Sequence, residues 1–430
     1  MKTKYQIYLV LVLALGLFTT FMPEVAQRNV GGPIDLGDTA WMIMATALVF
    51  LMTPGLSFFY GGMVRRKNMI STMLQSVVAL GVVSLTWTAV GFSLSFGDSI
   101  GGIIGDPRTF FMYRGVGMQT HPDLSPTIPF ALFSLFQLKF AIITPALISG
   151  AFAERVKFSS YLIFMVLFSV IIYPPLAHMT WHPDGLLRNW GVLDFAGGTV
   201  VHISAGMAAL AGSIFLGPRK EILHEAGNIP YVLLGTGLLW FGWFGFNGGS
   251  ALGANELAVS AFLNTNTASA VSMITWLFFE RMRGRQASAM GACIGAVVGL
   301  VAITPAAGFV SIGPSILIGF IASMVSSIAL EYKSKAGIDD TLDVFPCHGL
   351  GGIVGMILTG VFAKDVGLIY GETKTFLFHL LALVLVLAYT FVGGYLMYWV
   401  TDKFSTMRVR TDDESIGLDL SQHGETLKIS

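Results

Sequence analysis

The chain has 430 residues, enough for two or three soluble domains, yet 54% of it is hydrophobic and only 12% charged, about half the charged share of an ordinary globular protein. Lys+Arg and Asp+Glu are 25 each, which excludes the basic surface of a nucleic-acid binder. The apolar excess excludes a disordered chain. What remains is an integral membrane protein, and its 50 glycines and 33 phenylalanines suit closely packed apolar helices. The two cysteines, Cys293 and Cys347, lie in apolar stretches and make neither a disulfide framework nor a CxxC metal site.

In chain order, residues 1–26 read first as a signal peptide. Lys2 and Lys4 precede an apolar run from Ile7 to Phe21, interrupted only by Gly16 and two threonines. Cleavage is expected after Ala26, although Glu24 fits the small-residue position poorly; the alternative is an uncleaved signal anchor. Eleven apolar runs of spanning length follow, at roughly 40–64, 70–96, 128–151, 158–177, 192–216, 228–250, 256–279, 288–305, 309–331, 344–363 and 375–401. They make 27–401 the membrane domain and leave 402–430 as a 29-residue tail.

The links between runs alternate in charge. If the first span starts outside, sixteen Lys and Arg fall on inside links and the tail, among them Arg65, Arg155, Arg219, Lys333 and Lys428, against six outside. The positive-inside rule then places the N-terminus outside and the tail in the cytoplasm. The runs also hint at duplication. Phe58-Phe59-Tyr60-Gly61-Gly62 of the first echoes Phe244-Gly245-Phe246-Asn247-Gly248-Gly249 of the sixth, and the Asp194–His202 pair of the fifth echoes Asp343 and His348 of the tenth. Two five-helix halves of opposite orientation, plus a final helix, are therefore expected in an all-α polytopic membrane protein.

Ionisable groups within spans are costly and point to a cavity or a path. His202 and His348 sit among small apolar residues. They read equally as two imidazoles sharing a proton or as two separate helix–helix hydrogen bonds. Asp194 lies eight residues before His202, ~12 Å along a helix and ~80° around it. It reads as an N-cap of the fifth span, or as a carboxylate that attracts a cation. Asp343 is expected to mirror it at the inner end of the tenth span. Lys139 is expected to stretch toward the outer boundary of the third span. Phe136 and Phe140 share a helix face. With Trp181, Trp243, Phe246 and Ser250, they are either belt and core residues or a cup of ring faces and a hydroxyl for a small cation.

Four strings carry a resemblance: Asp194-Phe-Ala-Gly-Gly-Thr-Val-Val-His202, Trp243-Phe-Gly-Phe-Asn-Gly-Gly-Ser250, Gly150-Ala-Phe-Ala-Glu-Arg155 and Asp343-Val-Phe-Pro-Cys-His348-Gly-Leu-Gly-Gly. They resemble the ammonium transporter family (Amt/Mep/Rh), and Trp181 with Ser250 resembles its bacterial Amt branch. The resemblance implies a homotrimer of eleven-helix protomers in the inner (plasma) membrane, each with its own pore for nitrogen uptake. It implies that Trp181, Ser250, Phe136 and Asp194 bind ammonium (or methylammonium, its analogue) in an outer vestibule. Phe140 and Phe246 would form the gate, and His202 and His348 would line the pore. No catalytic residue, cofactor or metal is implied. Ile416-Gly417-Leu418-Asp419 and His423-Gly424-Glu425 resemble the cytoplasmic end of bacterial members, the face on which a PII-type nitrogen regulatory protein docks.

Physical chemistry favours such a filter. Carrying a bare unit charge into hydrocarbon costs of order 20 kcal/mol, whereas removing a proton from ammonium at neutral pH costs only ~3 kcal/mol. Potassium has no proton to lose. An intramembrane hydrolase is disfavoured, because neither Gly-x-Gly-Asp nor His-Glu-x-x-His occurs. The remaining rivals are a sensor with little flux and a neutral-gas channel of the Rh kind.

Overall fold

The structure, a computed structural model, describes residues 2–222 and 225–427. Lys428, counted above among the basic tail residues, lies outside the described residues. A helix at Lys2–Thr20 precedes the bundle. Among the described residues, ten helices are long and apolar enough to cross a membrane: Leu36–Met63, Arg66–Phe96, Phe130–Phe152, Phe158–Asn189, Gly198–Leu216, Ile229–Gly249, Glu256–Met282, Ile312–Lys335, Phe345–Phe362 and Thr373–Phe404. The shorter apolar helix Ala289–Ile303 takes eighth place in chain order, and the eleven are numbered accordingly below.

Helix starts follow capping chemistry. The side chains of Asp35, Asn228, Asn255 and Ser288 each accept a backbone N–H in the first turn of the first, sixth, seventh and eighth spans. The fifth span differs from the expected run 192–216. Residues 192–197 are irregular, and the helix begins only at Gly198 with a π-helical turn over Gly198–Ile203. The tenth begins in the same way, with a π-helical turn over Phe345–Leu350. Such turns widen the helix and re-aim side chains, and one contains His202 and the other His348.

The halves pair as an inverted repeat. The first and sixth spans pack along their length, and the π-helical starts of the fifth and tenth touch each other at the centre. The eleventh span packs across the fifth and tenth. The loop after the second span carries a short antiparallel ribbon, with Ser99 opposite Gly105 and Ile100 opposite Ile104.

One end of the bundle, here the tail face, holds a buried charge network. The Glu154 carboxylate accepts from Arg65 Nε at 3.0 Å and Arg219 Nη1 at 2.8 Å. Asp339 accepts twice from the Arg219 guanidinium, at 2.9 Å each, and once from its backbone N–H at 2.8 Å, and Arg155 donates to Thr341 Oγ1 and to the Asp339 carbonyl. Burial pushes the Glu154 carboxyl up, but the hydrogen bond from Arg65 and the charges of Arg219 and Arg65 outweigh it and bring the group down to about 2.

The tail folds back onto this face. Lys157 N–H donates to Met407 O at 2.7 Å, and Val409 N–H donates to Arg155 O at 3.0 Å. Glu414 accepts from Lys220 N–H and Arg408. Asp419 caps the start of the second span, accepting from Ile70 N–H at 3.1 Å and Ser71 N–H at 2.7 Å. The solvated tail that its charge and Ser/Thr content would allow is thus not what forms. Lys139 also differs from expectation. It is 9% exposed at mid-span, with its ammonium 5.3 Å from the Phe50 ring centroid, where neighbouring helices cover it.

Candidate transport site

At the opposite end of the bundle, the mouth face, a cavity of about 610 Å³ opens among the third to sixth spans. Phe140, Trp181, Asp194 and Ser250 line it, together with Gln137 and Thr180. The Trp181 ring is held by its Nε1–H, which donates to Asp194 O at 3.1 Å, and stands edge-on to Phe140 at 5.8 Å. Ser250 donates its hydroxyl proton to Phe246 O at 2.8 Å, which leaves its oxygen lone pairs free to accept. Phe136 is 1% exposed and packs edge-on against Phe140 at 4.9 Å; it is not among the residues lining the cavity, although Phe133, Gln137 and Phe140 of its helix are.

A second recess of about 890 Å³ adjoins the cavity and shares Phe96, Asp123 and Leu124 with it. His121 lines this recess, and its Nδ1 accepts from the N–H groups of Asp123 and Leu124. Burial holds that imidazole below 6.5 against the pull of Asp123.

The floor of the cavity is closed by two rings. Phe140 and Phe246 stack with centroids 4.1 Å apart at 27°, so no hydrated ion fits between them. Below lies His202, 6.0 Å from Phe246 and stacked on Trp243 at 5.4 Å. His202 Nδ1 is 3.3 Å from His348 Nδ1. At that contact one nitrogen must carry the hydrogen and the other must accept it. The buried His202 Nε2 has no hydrogen-bond partner. Beyond His348 the path narrows to a void of about 10 Å³, lined by residues including Tyr60 and Cys347, about the least that admits one water.

The histidines meet because the helices bearing them cross without side chains between. A Cβ on Gly206 would lie 2.2 Å from Gly349 N, so only glycine permits the approach one turn beyond His202. The same need for a bare backbone recurs at Gly197, whose φ of 114° turns the chain into the fifth span.

Asp194 makes that turn stable. Its Oδ1 accepts from Gly197 N–H and Gly198 N–H at 2.8 and 2.7 Å, and its Oδ2 accepts from Thr199 N–H at 2.7 Å and from the Thr199 hydroxyl. The expected mirror image needs correction. Asp343 does not cap the tenth span; it has φ 58° and pairs with Lys333. The cap is Asp340, whose carboxylate accepts from Val344 N–H at 3.1 Å and Phe345 N–H at 2.7 Å. The repeat is kept in spacing: Asp340 stands eight residues before His348, as Asp194 stands eight before His202. Asp343 is only five residues ahead, and the residue three beyond it, where a capping side chain would find an N–H, is Pro346.

The structure thus brings Trp181, Ser250, Asp194, Phe140, Phe246, His202 and His348 onto one line, with Phe136 packed behind Phe140. Two residues on that line escaped the sequence reading, and the role of a third was left open there. Trp243, which by sequence reads as a belt or core residue or as part of a cation cup, is 2% exposed, flanks His202 and donates Nε1–H to Thr304 at 2.9 Å. Gln137 Oε1 and Thr180 Oγ1 are buried oxygens without partners, on side chains that line the cavity. Each neighbours a residue singled out by sequence, Phe136 and Trp181, which was the only available signal. Among the described residues, no group of three or more His, Cys, Asp or Glu is placed to hold a metal ion.

Comparison with known proteins agrees along most of the chain. The profile of the Ammonium Transporter Family matches residues 40–428. An ammonium transporter of Aquifex aeolicus is 46% identical over 420 residues, 96% of this chain and 97% of the relative. The crystal structure of Saccharomyces cerevisiae Mep2 is similar with a TM-score of 0.83 at 32% identity, over 90% of this chain and 94% of that one. A sensor Amt protein is similar with a TM-score of 0.83 at 31% identity, over 90% of this chain and 98% of that one.

Proposed function

The chain belongs to the ammonium transporter family, and from that premise we propose that this multi-pass membrane protein binds ammonium in the mouth cavity, deprotonates it at the ring gate and passes ammonia along the histidine pair. The observation that carries the reading is the Phe140–Phe246 stack at 4.1 Å directly over His202. An ion must shed its water to pass, and ring faces repay only ~0.5–2 kcal/mol of that cost. A proton can be left behind far more cheaply.

Each group then has a task. Trp181 offers a ring face, and Ser250 offers a lone pair to an N–H of ammonium. Both Asp194 oxygens are occupied by four donors, so Asp194 attracts the cation by its charge and holds the rim, and is not the base. The proton leaves by the histidines. Their shared hydrogen lies between the Nδ1 atoms, and His202 Nε2 is free to exchange on the gate side.

The same proposal extends to the whole molecule. Residues 1–26 act as a signal peptide, 27–401 form the membrane domain and 402–430 form a cytoplasmic tail. The mouth faces outward from the inner (plasma) membrane, in keeping with the basic residues gathered on the tail face. The protein acts in nitrogen uptake as a homotrimer, without enzymatic activity. The ordered tail offers a surface to a PII-type regulator.

The test is electrical. Full-length protein in a planar bilayer should carry current with ammonium and none with potassium at equal concentration. Equal currents with both ions would overturn the deprotonation step.

A further inference from the structure

A buried histidine outside the pore holds the rim of the mouth cavity from behind. His379, on the eleventh span, is 0% exposed. Its Nδ1 lies 2.9 Å from Met356 O on the tenth span. A carbonyl only accepts, so Nδ1 carries the hydrogen and the ring is the Nδ1–H tautomer. Its Nε2 is then a lone-pair acceptor, and it receives Leu193 N–H at 2.9 Å. Leu193 precedes Asp194, which caps the fifth span and whose carbonyl holds the Trp181 indole at 3.1 Å. A continuous chain of hydrogen bonds thus runs from the tenth span through His379 to the Leu193–Asp194 turn and on to Trp181.

The turn needs such an anchor. Residues 192–197 have no helical hydrogen bonding to fix their depth. Three groups outside this stretch hold it by its backbone N–H groups: Leu187 O, which accepts Val192 N–H at 3.0 Å, His379 at Leu193, and Pro305 O, which accepts Phe195 N–H at 3.1 Å. The tenth span makes room for the ring, since a Cβ on Gly360 would come within 3.2 Å of it.

We infer that His379 is a positioning residue for substrate, setting the place of Asp194 and Trp181 through Leu193 and so the affinity of the mouth for ammonium. This rests on the vestibule reading proposed above. It assigns no contact with substrate to His379 itself.

The experiment is methylammonium uptake by reconstituted full-length protein, with KM and Vmax per folded molecule measured separately. His379→Leu removes the acceptor of Leu193 N–H and should raise KM roughly fivefold to tenfold, the scale of an unmade buried hydrogen bond, with Vmax within about twofold. His379→Gln offers a carbonyl oxygen to Leu193 and an amide N–H to Met356, and should stay within about twofold of the parent. The double variant with Trp181→Leu should have a KM no higher than Trp181→Leu alone, because both act on one rim. A merely structural histidine predicts instead a lower melting temperature with unchanged KM, and that result overturns the inference. So does a His379→Gln variant as impaired as His379→Leu. If Trp181→Leu raises KM and His379→Leu does not, only this inference falls; if Trp181→Leu leaves KM unchanged, the vestibule reading falls and takes the inference with it. Should His379→Leu not assemble, His379→Asn, too short to reach both partners, carries the test. A raised KM supports positioning and an unchanged KM overturns it.

Discussion

The line from mouth to histidines and the tail face are both buried, polar in part and built from the same spans, yet they treat polar groups in opposite ways. Along the line, Gln137 Oε1, Thr180 Oγ1 and His202 Nε2 are left without partners among ring faces. On the tail face, Glu154, Asp339, Arg65, Arg155 and Arg219 are locked into mutual ion pairs. An unmade hydrogen bond in an apolar place is costly, on the order of 1–3 kcal/mol. A structure that retains three along one path keeps acceptor capacity for something that passes through. The tail face spends nearly all of its charged capacity on itself, Arg155 Nε being the one polar atom of these five side chains left without a partner among the described residues, and is therefore the rigid end.

Breaking the rigid end should have the largest effect. Glu154→Ala leaves Arg65 and Arg219 facing a buried gap, and removing one partner of such a network costs about 3–5 kcal/mol. The expected result is a large fall in the melting temperature of the detergent-solubilised protein, with Glu154→Gln falling less. A melting curve like the parent's for Glu154→Ala would mean that the network is not what holds this face.

The path should respond in the opposite manner, with function lost and stability kept. His202→Ala and His348→Ala should each cut charge-coupled transport tenfold or more, a loss of ~1.4 kcal/mol per decade. The double variant should lose little beyond either single one, since the shared proton makes them one unit. Additive stability losses with parental selectivity against potassium would show two separate packing histidines instead.

A third test probes the Asp340 cap by pH. Burial, aided by the Asp343 carboxylate and opposed by Lys333, pushes Asp340 up to about 6 from its ordinary 3.8. Between those values the unfolded chain gives up the proton and the folded one keeps it. Stability should therefore fall as pH rises from 3.8 to about 6 and level off above. Asp340→Asn keeps an acceptor for the cap and should flatten that slope in melting curves taken at pH 4 and pH 7. A slope unchanged in the variant would assign the effect to another group.

The smallest effect is expected where the tail meets the second span. Asp419→Asn weakens the cap on Ile70 and Ser71 by ~1 kcal/mol. It should speed proteolytic cleavage beyond Lys403 while leaving the melting temperature of the membrane domain in place. Equal cleavage rates would mean that the cap does not hold the tail.

Much of this was legible in order. Eleven apolar runs became eleven helices because a bilayer-length stretch must satisfy its own backbone, and a helix is the one local way to do so. The motif around His202 placed Asp194 as the cap of the helix that carries the histidine, and the resemblance named the rings that now stand in line. The mirrored cap was misread. Asp343 and Asp340 look alike in sequence, and only the start of the π-helical turn decides which carboxylate reaches free N–H groups.

Composition and periodicity alone determined that this is an all-α membrane protein, where its helices lie and which face carries positive charge, because those properties follow from each segment's own transfer energy. The tertiary structure alone decided what touches what. Gly206 against Gly349 brings the histidines to 3.3 Å, His379 reaches back to Leu193, and Trp243 flanks His202. Each of these contacts joins residues far apart in the chain. Their energies depend on packing between helices, to which no single segment's sequence has access.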